Sequence, residues 1–169
     1  MRDLIRSLSA RSEYGWTTAR LGVSPTAKDT FLGVALAVAA YGAYVVIWFI
    51  ASAAGAHPTY TGTYREIAAH NLSLPVVLAV SILNPVYEET FLCGYIITIA
   101  KGAGSITAGV NVSVAIRLLY HLYQGGIGVI GIIPFGLIFA WWYARTGRLW
   151  PVWVAHALFD ATGLLQFVR

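Results

Sequence analysis

Three clusters of ionisable side chains in this sequence have the residue types needed for hydrolysis. They are Glu88 with Glu89, Arg117 with His121, and His156 with Asp160. A carboxylate in a poorly hydrated pocket can act as a base on water, and a nearby imidazole can orient that water or share its proton. A second histidine with a polar partner can donate hydrogen bonds to a developing oxyanion. The set is sufficient for cleavage of an amide bond, whereas no serine lies in a GxSxG context.

The spacing of these residues indicates which side chains share a helical face. In the second and third clusters the two members are four residues apart, which places each pair on one side of a helix. Glu88 and Glu89 are adjacent and therefore about 100° apart around a helix. We expect one of them to aim at a catalytic centre and the other to contact a neighbouring helix. Pro85, just before them, is expected to open the backbone and admit water.

The composition of the surrounding chain indicates an integral membrane protein. Of its 169 residues, 58% are hydrophobic and only 11% are charged, and the mean hydropathy is +0.69. Soluble domains have about 25% charged residues. An ionisable side chain at the centre of a bilayer costs about 2.5–3.5 kcal/mol on insertion scales, so it normally faces a bundle interior or a wet cavity. The three clusters therefore predict a functional site inside the membrane.

Apolar runs of helical length predict an all-α, polytopic helical bundle in the membrane. The runs cover residues 31–51, 74–100, 104–123, 127–143 and 150–167. We expect about five or six transmembrane helices, since each crossing needs about 20 residues. Residues 1–30 are interpreted as a basic N-terminal segment, and residues 31–169 as one membrane-embedded domain.

The basic residues predict a multi-pass protein of the cell membrane with a cytoplasmic N-terminus. Five of the eleven basic residues precede the first apolar run, and the turns at Lys101 and at 145–148 carry further positive charge. Cytoplasmic charge beside the membrane explains the net charge of +4 better than nucleic-acid binding does. The expected partners are the lipid bilayer and a substrate, while the oligomeric state is left open.

The depth of the clusters requires an irregular helix. Straight crossing helices would place Glu88 near the middle of the membrane and His121 near the opposite face from His156. The residues could then not meet. A helix broken at Asn84 and Pro85, or a re-entrant path around residues 124–126, would bring them together.

Three sequence motifs resemble those of the CAAX prenyl protease type II family, also called Abi or CAAX proteases and bacteriocin-processing. The first is EETFLCG, which is similar to the family's EExxxRG motif. The second is LLYHLYQGG, and the third is LWPVWVAHALFD, which is similar to HxxxN or HxxxD. The motifs occur in the family's order and cover residues 84–160.

The resemblance implies a glutamate-dependent intramembrane endopeptidase that requires no metal. Glu88 would be the base that activates water, assisted by His121. His156 and Asp160 would hold the tetrahedral oxyanion, and Glu89 would be a structural or supporting neighbour. The implied substrate is a membrane-associated peptide or lipidated protein, of the prenylated CAAX kind or similar to a bacteriocin.

The sequence departs from the family pattern at two positions. Cys93 stands where the first motif has arginine, and Arg117 is expected either to supply that charge from the next helix or to extend toward an interface. Asp160 stands where asparagine is common, and it would either donate as a protonated acid or orient His156.

Two other functions are compatible with the sequence. Glutamate and histidine are zinc ligands, so a zinc-dependent membrane hydrolase is an alternative, although the sequence has no HExxH motif. A non-catalytic immunity or scaffolding protein on the same fold is the other, and Cys93 is the feature that favours it.

Overall fold

The structure, a computed structural model, describes residues 17–56, 66 and 72–168. Within these ranges the chain forms five long helices and no strand. They are α1, Ala27–Ala53; α2, Leu74–Gly102; α3, Ile106–Tyr120; α4, Gly125–Thr146; and α5, Trp150–Leu165. Each helix coincides with one predicted apolar run, which confirms the all-α membrane bundle. Residues 1–16 of the predicted N-terminal segment, and residues 57–65 and 67–71 between the first two apolar runs, lie outside the described residues.

The five helices differ in whether they are long enough to cross a bilayer. Three apolar stretches are long enough, namely Ala27–Ala53, Leu74–Gly102 and Gly128–Thr146. Helices α3 and α5 have 15 and 16 residues, fewer than the roughly 20 that a crossing requires. The described part of the bundle therefore combines three helices of spanning length with two shorter ones.

Because α3 is short, Glu88 and His121 lie at similar depths in the bundle, whereas straight crossing helices would separate them. A helix of 15 residues is about 22 Å long at 1.5 Å per residue. Glu88 precedes the end of α2 by 14 residues, or about 21 Å. Because the turn at residues 103–105 joins the two helices, His121 at the end of α3 reaches approximately the depth of Glu88.

Helix α2 contains a π-helical segment directly after the two glutamates. Its α-helical part Leu74–Glu89 continues through the buried Pro85, and the π-helical part is Thr90–Ile97. The predicted break at Asn84 and Pro85 is therefore wrong. A π-helix has wider turns than an α-helix and often occurs at functional sites. The irregularity in α2 lies on the cytoplasmic side of Glu89 in the predicted orientation, and not at the proline.

The chain reverses direction between α3 and α4 through a 3-10 turn, Leu122–Gln124. Gly125 follows with a φ of 80°, a left-handed conformation that glycine adopts at little cost. The re-entrant path around residues 124–126 stays a prediction.

The helices pack in an order that brings α2, α3 and α5 together. Helix α5 packs between α1 and α2, and α4 packs against α1, α3 and the π-helical segment of α2. Glycines allow close approach at two of these contacts. A Cβ added at Gly33 would lie 2.6 Å from Val154 Cβ, and one added at Gly109 would lie 2.5 Å from Ala100 Cβ. Small residues serve this purpose in membrane bundles.

The segment before α1 is fixed to the turn between α4 and α5. The backbone N–H groups of Leu149 and Trp150 donate to the Gly22 carbonyl at 3.1 and 3.3 Å. Arg148 Nη1 also lies 2.9 Å from Asp29 Oδ1 on α1. The start of α1 and the α4–α5 turn therefore lie at one end of the bundle, as the predicted orientation requires. Which side of the membrane this end faces stays a prediction.

Candidate active site

Glu89 lies at the centre of a buried polar cluster. Its Oε1 lies 2.6 Å from His156 Nδ1, and its Oε2 accepts hydrogen bonds from Arg117 Nη2 at 2.7 Å and from the Cys93 thiol at 3.2 Å. Glu89, Arg117 and Cys93 are 0% exposed, and His156 is 3% exposed. A buried carboxylate must be paired and hydrogen-bonded to offset its desolvation. These contacts therefore hold α2, α3 and α5 in a fixed relationship.

The Arg117 guanidinium faces both glutamates. Besides its contact with Glu89, its Nη1 lies 3.8 Å from Glu88 Oε2. The guanidinium carbon is 5.1 Å from the centre of the Phe135 ring. Gly136 leaves room for the side chain, since a Cβ there would be 3.3 Å from Arg117 Cδ. Arg117 is thus held inside the bundle and does not extend toward an interface.

His156 lies between two carboxylates. Its Nδ1 faces Glu89, and its Nε2 lies 3.5 Å from Asp160 Oδ1. Asp160 Oδ2 accepts a hydrogen bond from Asn84 Nδ2 at 3.0 Å. An imidazolium, which donates from both ring nitrogens, fits this arrangement. The contacts of Asp160 match the orienting role that was one of its two expected functions.

Asn84 is a member of the site that the sequence reasoning assigned to a different role. It was expected to mark a helix break, but α2 continues through this position. Asn84 precedes Glu88 by four residues, one helical turn. From this spacing the sequence could have predicted that the Asn84 side chain lies on the same helical face as Glu88.

Glu88 has a different hydrogen-bond partner from Glu89, although the Arg117 guanidinium lies near both carboxylates. Its side chain is 12% exposed, and its Oε2 accepts a hydrogen bond from the Tyr120 hydroxyl. Tyr120 is the last residue of α3 and is 38% exposed. Tyr120 is not among the site residues predicted from the sequence. It follows Arg117 by three residues, so it lies on the same side of α3.

His121 lies beside this pair but makes no hydrogen bond to either glutamate within the described part of the chain. Its Nδ1 lies 2.8 Å from the Arg117 carbonyl oxygen, and its ring centre is 4.5 Å from that of Tyr120. A carbonyl oxygen only accepts, so Nδ1 carries the proton. In the neutral ring, Nε2 then presents a lone pair.

Three of the predicted residues could offer ligand atoms to one metal ion. One ligand atom each from Glu88, Glu89 and His156 lies within 4.8 Å of the others, and this is the one such group among the described residues. Both carboxylate oxygens of Glu89, however, are already in contact with Arg117 and His156. A zinc ion would need unprotonated imidazole and free carboxylate oxygens, so the observed contacts fit an ion pair better than a metal site.

The residues around the site match one protein family. A sequence model with the description Type II CAAX prenyl endopeptidase Rce1-like matches residues 70–162. This interval is more than half of the chain and contains every residue of the site described above. The chain belongs to the Rce1-like family of type II CAAX prenyl endopeptidases. The resemblance seen in the three motifs is thereby confirmed. No significant match was found among curated proteins or among solved structures.

Membership of the Rce1-like family implies a membrane protease. The match includes all of α2, α3 and α4 and most of α5, and α2, α3 and α5 supply the polar contacts of the Glu88–Glu89 region. Helix α1 lies outside the matched interval and packs against α5 and α4. The Rce1-like part of the chain is therefore the part that carries the site.

Proposed function

We propose that this Rce1-like protein hydrolyses a peptide bond within the membrane by means of a water molecule activated by Glu88. The contrast between the two adjacent glutamates carries this proposal. Glu89 is 0% exposed and has both oxygens engaged by donors. Glu88 is partly exposed, and among the described residues its one hydrogen bond is the one that Oε2 accepts from Tyr120. A general base must reach the proton that it removes, and of the two acids Glu88 meets this requirement.

In the proposed reaction, Glu88 takes a proton from water while the water oxygen attacks the scissile carbonyl carbon. His121 assists by orienting the water through Nε2, since its Nδ1 is committed to the Arg117 carbonyl. When the tetrahedral intermediate collapses, the protonated Glu88 returns the proton to the leaving amine. One carboxyl group thus serves first as base and then as acid.

The negative charge of the tetrahedral intermediate needs a fixed donor. We assign this role to His156 Nε2, which lies 3.5 Å from Asp160. The Glu89 contact at Nδ1 fixes the plane of the ring. A donor held in advance stabilises developing charge without a cost of reorganisation at the moment of reaction. Glu89 and Arg117 then act as positioning residues that hold His156.

The proposed reaction uses no metal ion. A metal bound by Glu88, Glu89 and His156 would displace the proton between His156 and Glu89 and would lie next to the Arg117 guanidinium. That guanidinium already supplies positive charge to both carboxylates, at 2.7 Å from Glu89 and 3.8 Å from Glu88. Zinc would therefore compete with an existing cation in the same place.

The proposed substrate is a membrane-associated peptide or a lipidated protein, including prenylated CAAX-type or bacteriocin-like chains. Support comes from the family and from the position of the site. Glu88 lies about 21 Å from the end of α2 along the helix axis, well within a span of 29 residues. A scissile bond must reach that depth, which favours a substrate that partitions into the bilayer.

The proposal is tested by peptide cleavage with the purified protein in detergent and in lipid vesicles. Wild type is compared with Glu88→Ala and His121→Ala, and Tyr87→Phe is the matched control on the exposed surface of α2. We expect cleavage by wild type and the control, and none by Glu88→Ala. Equal activity in all variants would contradict the mechanism. Absence of cleavage by a folded wild type over a broad peptide set would favour the non-catalytic alternative.

A further inference from the structure

The Tyr120 hydroxyl is the one donor that contacts Glu88 within hydrogen-bonding distance in the described part of the chain. Tyr120 ends α3, and Glu88 lies on α2, so the bond joins the two helices. Arg117 Nη1 approaches the same carboxylate oxygen, Oε2, at 3.8 Å. Both cross-helix contacts are therefore made to Oε2, and Oε1 has no hydrogen-bond donor among the described residues.

We infer that Tyr120 is a positioning residue that fixes the Glu88 carboxylate with Oε1 directed toward the attacking water. This inference rests on the proposed function, in which Glu88 is the base. A carboxylate with one oxygen held by a hydroxyl loses rotational freedom about its last torsion. Reacting groups held in the productive geometry lower the entropic part of the barrier.

Tyr120 also connects Glu88 to His121. The two residues are adjacent at the end of α3, and their ring centres are 4.5 Å apart. His121 is held in turn by the Arg117 carbonyl. A single helix end therefore orients both groups that the water must contact. Any displacement of this end would separate the base from its assistant.

The partial exposure of Tyr120 argues against a packing role for its hydroxyl. The residue is 38% exposed, so its ring is only partly packed in the bundle, and the partner of its hydroxyl among the described residues is Glu88. A hydroxyl that donates to a carboxylate stabilises the ionised form, and hydrogen bonds to charged groups are stronger than those between neutral groups. The bond is thus expected to hold the Glu88 carboxylate in one orientation.

The test compares Tyr120→Phe with wild type and uses Tyr87→Phe as the matched control. Tyr87 is 76% exposed, and its hydroxyl makes no hydrogen bond within the described residues. For Tyr120→Phe we expect kcat/KM to fall roughly ten- to hundredfold, mostly in kcat. The KM should change little, because the hydroxyl orients the base and is not proposed to bind the substrate. The control should retain the wild-type rate.

A second measurement does not depend on catalysis. Infrared spectra give the carboxylate stretching bands of Glu88, identified as the bands that Glu88→Gln lacks. Their frequencies should differ between Tyr120→Phe and wild type, because the hydroxyl no longer donates to Oε2. If wild type cleaves no peptide but the bands shift in Tyr120→Phe, the proposed function fails and the Tyr120–Glu88 contact stands. Unchanged bands together with an unchanged kcat would overturn the inference.

Discussion

Arg117 on α3 and Glu89 on α2 form a buried ion pair, with 2.7 Å between Nη2 and Oε2. The Rce1-like motif has arginine at the position of Cys93, one helical turn after the second glutamate. Cys93 contacts the same oxygen of Glu89 at 3.2 Å. A side chain at position 93 and one at position 117 thus reach the same carboxylate oxygen. Arg117 therefore places a positive charge from the neighbouring helix beside this oxygen.

The origin of this charge predicts that Cys93 and Arg117 can be exchanged. Arg117→Leu leaves the Glu89 carboxylate without its guanidinium and should cost about 3–5 kcal/mol of unfolding free energy. The double variant Cys93→Arg with Arg117→Leu should recover most of this loss and most of the cleavage activity. Thermal unfolding in detergent and the peptide assay measure the two effects.

The matched control for the exchange is Cys93→Leu with Arg117→Leu, which changes both positions and restores no charge. If the arginine-containing double variant were no more stable than this control, position 93 could not replace Arg117. The contribution of Arg117 would then depend on its packing against Phe135 and Gly136.

The two glutamates should respond differently to the same isosteric change. Glu89→Gln leaves Arg117 and His156 facing a neutral amide in a fully buried site, so we expect a loss of about 3–5 kcal/mol in stability together with loss of activity. Glu88→Gln should change stability by about 1 kcal/mol or less and abolish cleavage. Calorimetry and the peptide assay on both variants check this difference. Similar stability losses in the two variants would contradict the division of roles.

Removal of metal should leave the activity unchanged. We expect the cleavage rate after treatment with EDTA or 1,10-phenanthroline to equal that of the untreated protein, because Arg117 supplies the positive charge beside the glutamates. Added zinc should not increase the rate. A rate that falls in chelator and returns with zinc would instead assign Glu88, Glu89 and His156 as metal ligands.

The predicted orientation can be tested with two cysteine variants. Ser73 precedes α2 and Ser105 precedes α3, and both are exposed, whereas the native Cys93 is buried and should not react. Ser105→Cys should be protected from a membrane-impermeant maleimide added outside intact cells, and Ser73→Cys should be labelled. Lys101, four residues before Ser105, favours the cytoplasmic side. The opposite labelling pattern would invert the orientation.

The helical elements could be predicted from the sequence because they depend on local composition. The five apolar runs gave the five helices, since a run of apolar residues must be buried in lipid or in protein wherever it occurs. The division between Glu88 and Glu89 was also predictable, because adjacent residues on a helix point in different directions. The predicted helix break at Asn84 and Pro85 was wrong, because α2 continues through this proline. Its continuity could not be read from the sequence alone.

Two features of the site depend on the contacts between helices. The first is the set of partners of Glu89, which come from α3 and α5. Whether Arg117 pairs with Glu89 or extends toward an interface depends on how α3 packs against α2 and α4. The hydrogen bonds of Tyr120 to Glu88 and of Asn84 to Asp160 likewise join residues 32 and 76 positions apart.

The sequence by itself determined the class of protein, the helices and the set of reactive residues, because composition, periodicity and motif spacing are properties of short segments. The tertiary structure decided which acid is buried, which is exposed and which cation pairs with them. Those outcomes depend on the desolvation of each side chain and on the few ångströms that separate it from a partner on another helix. Both quantities exist only once α2, α3 and α5 are packed together.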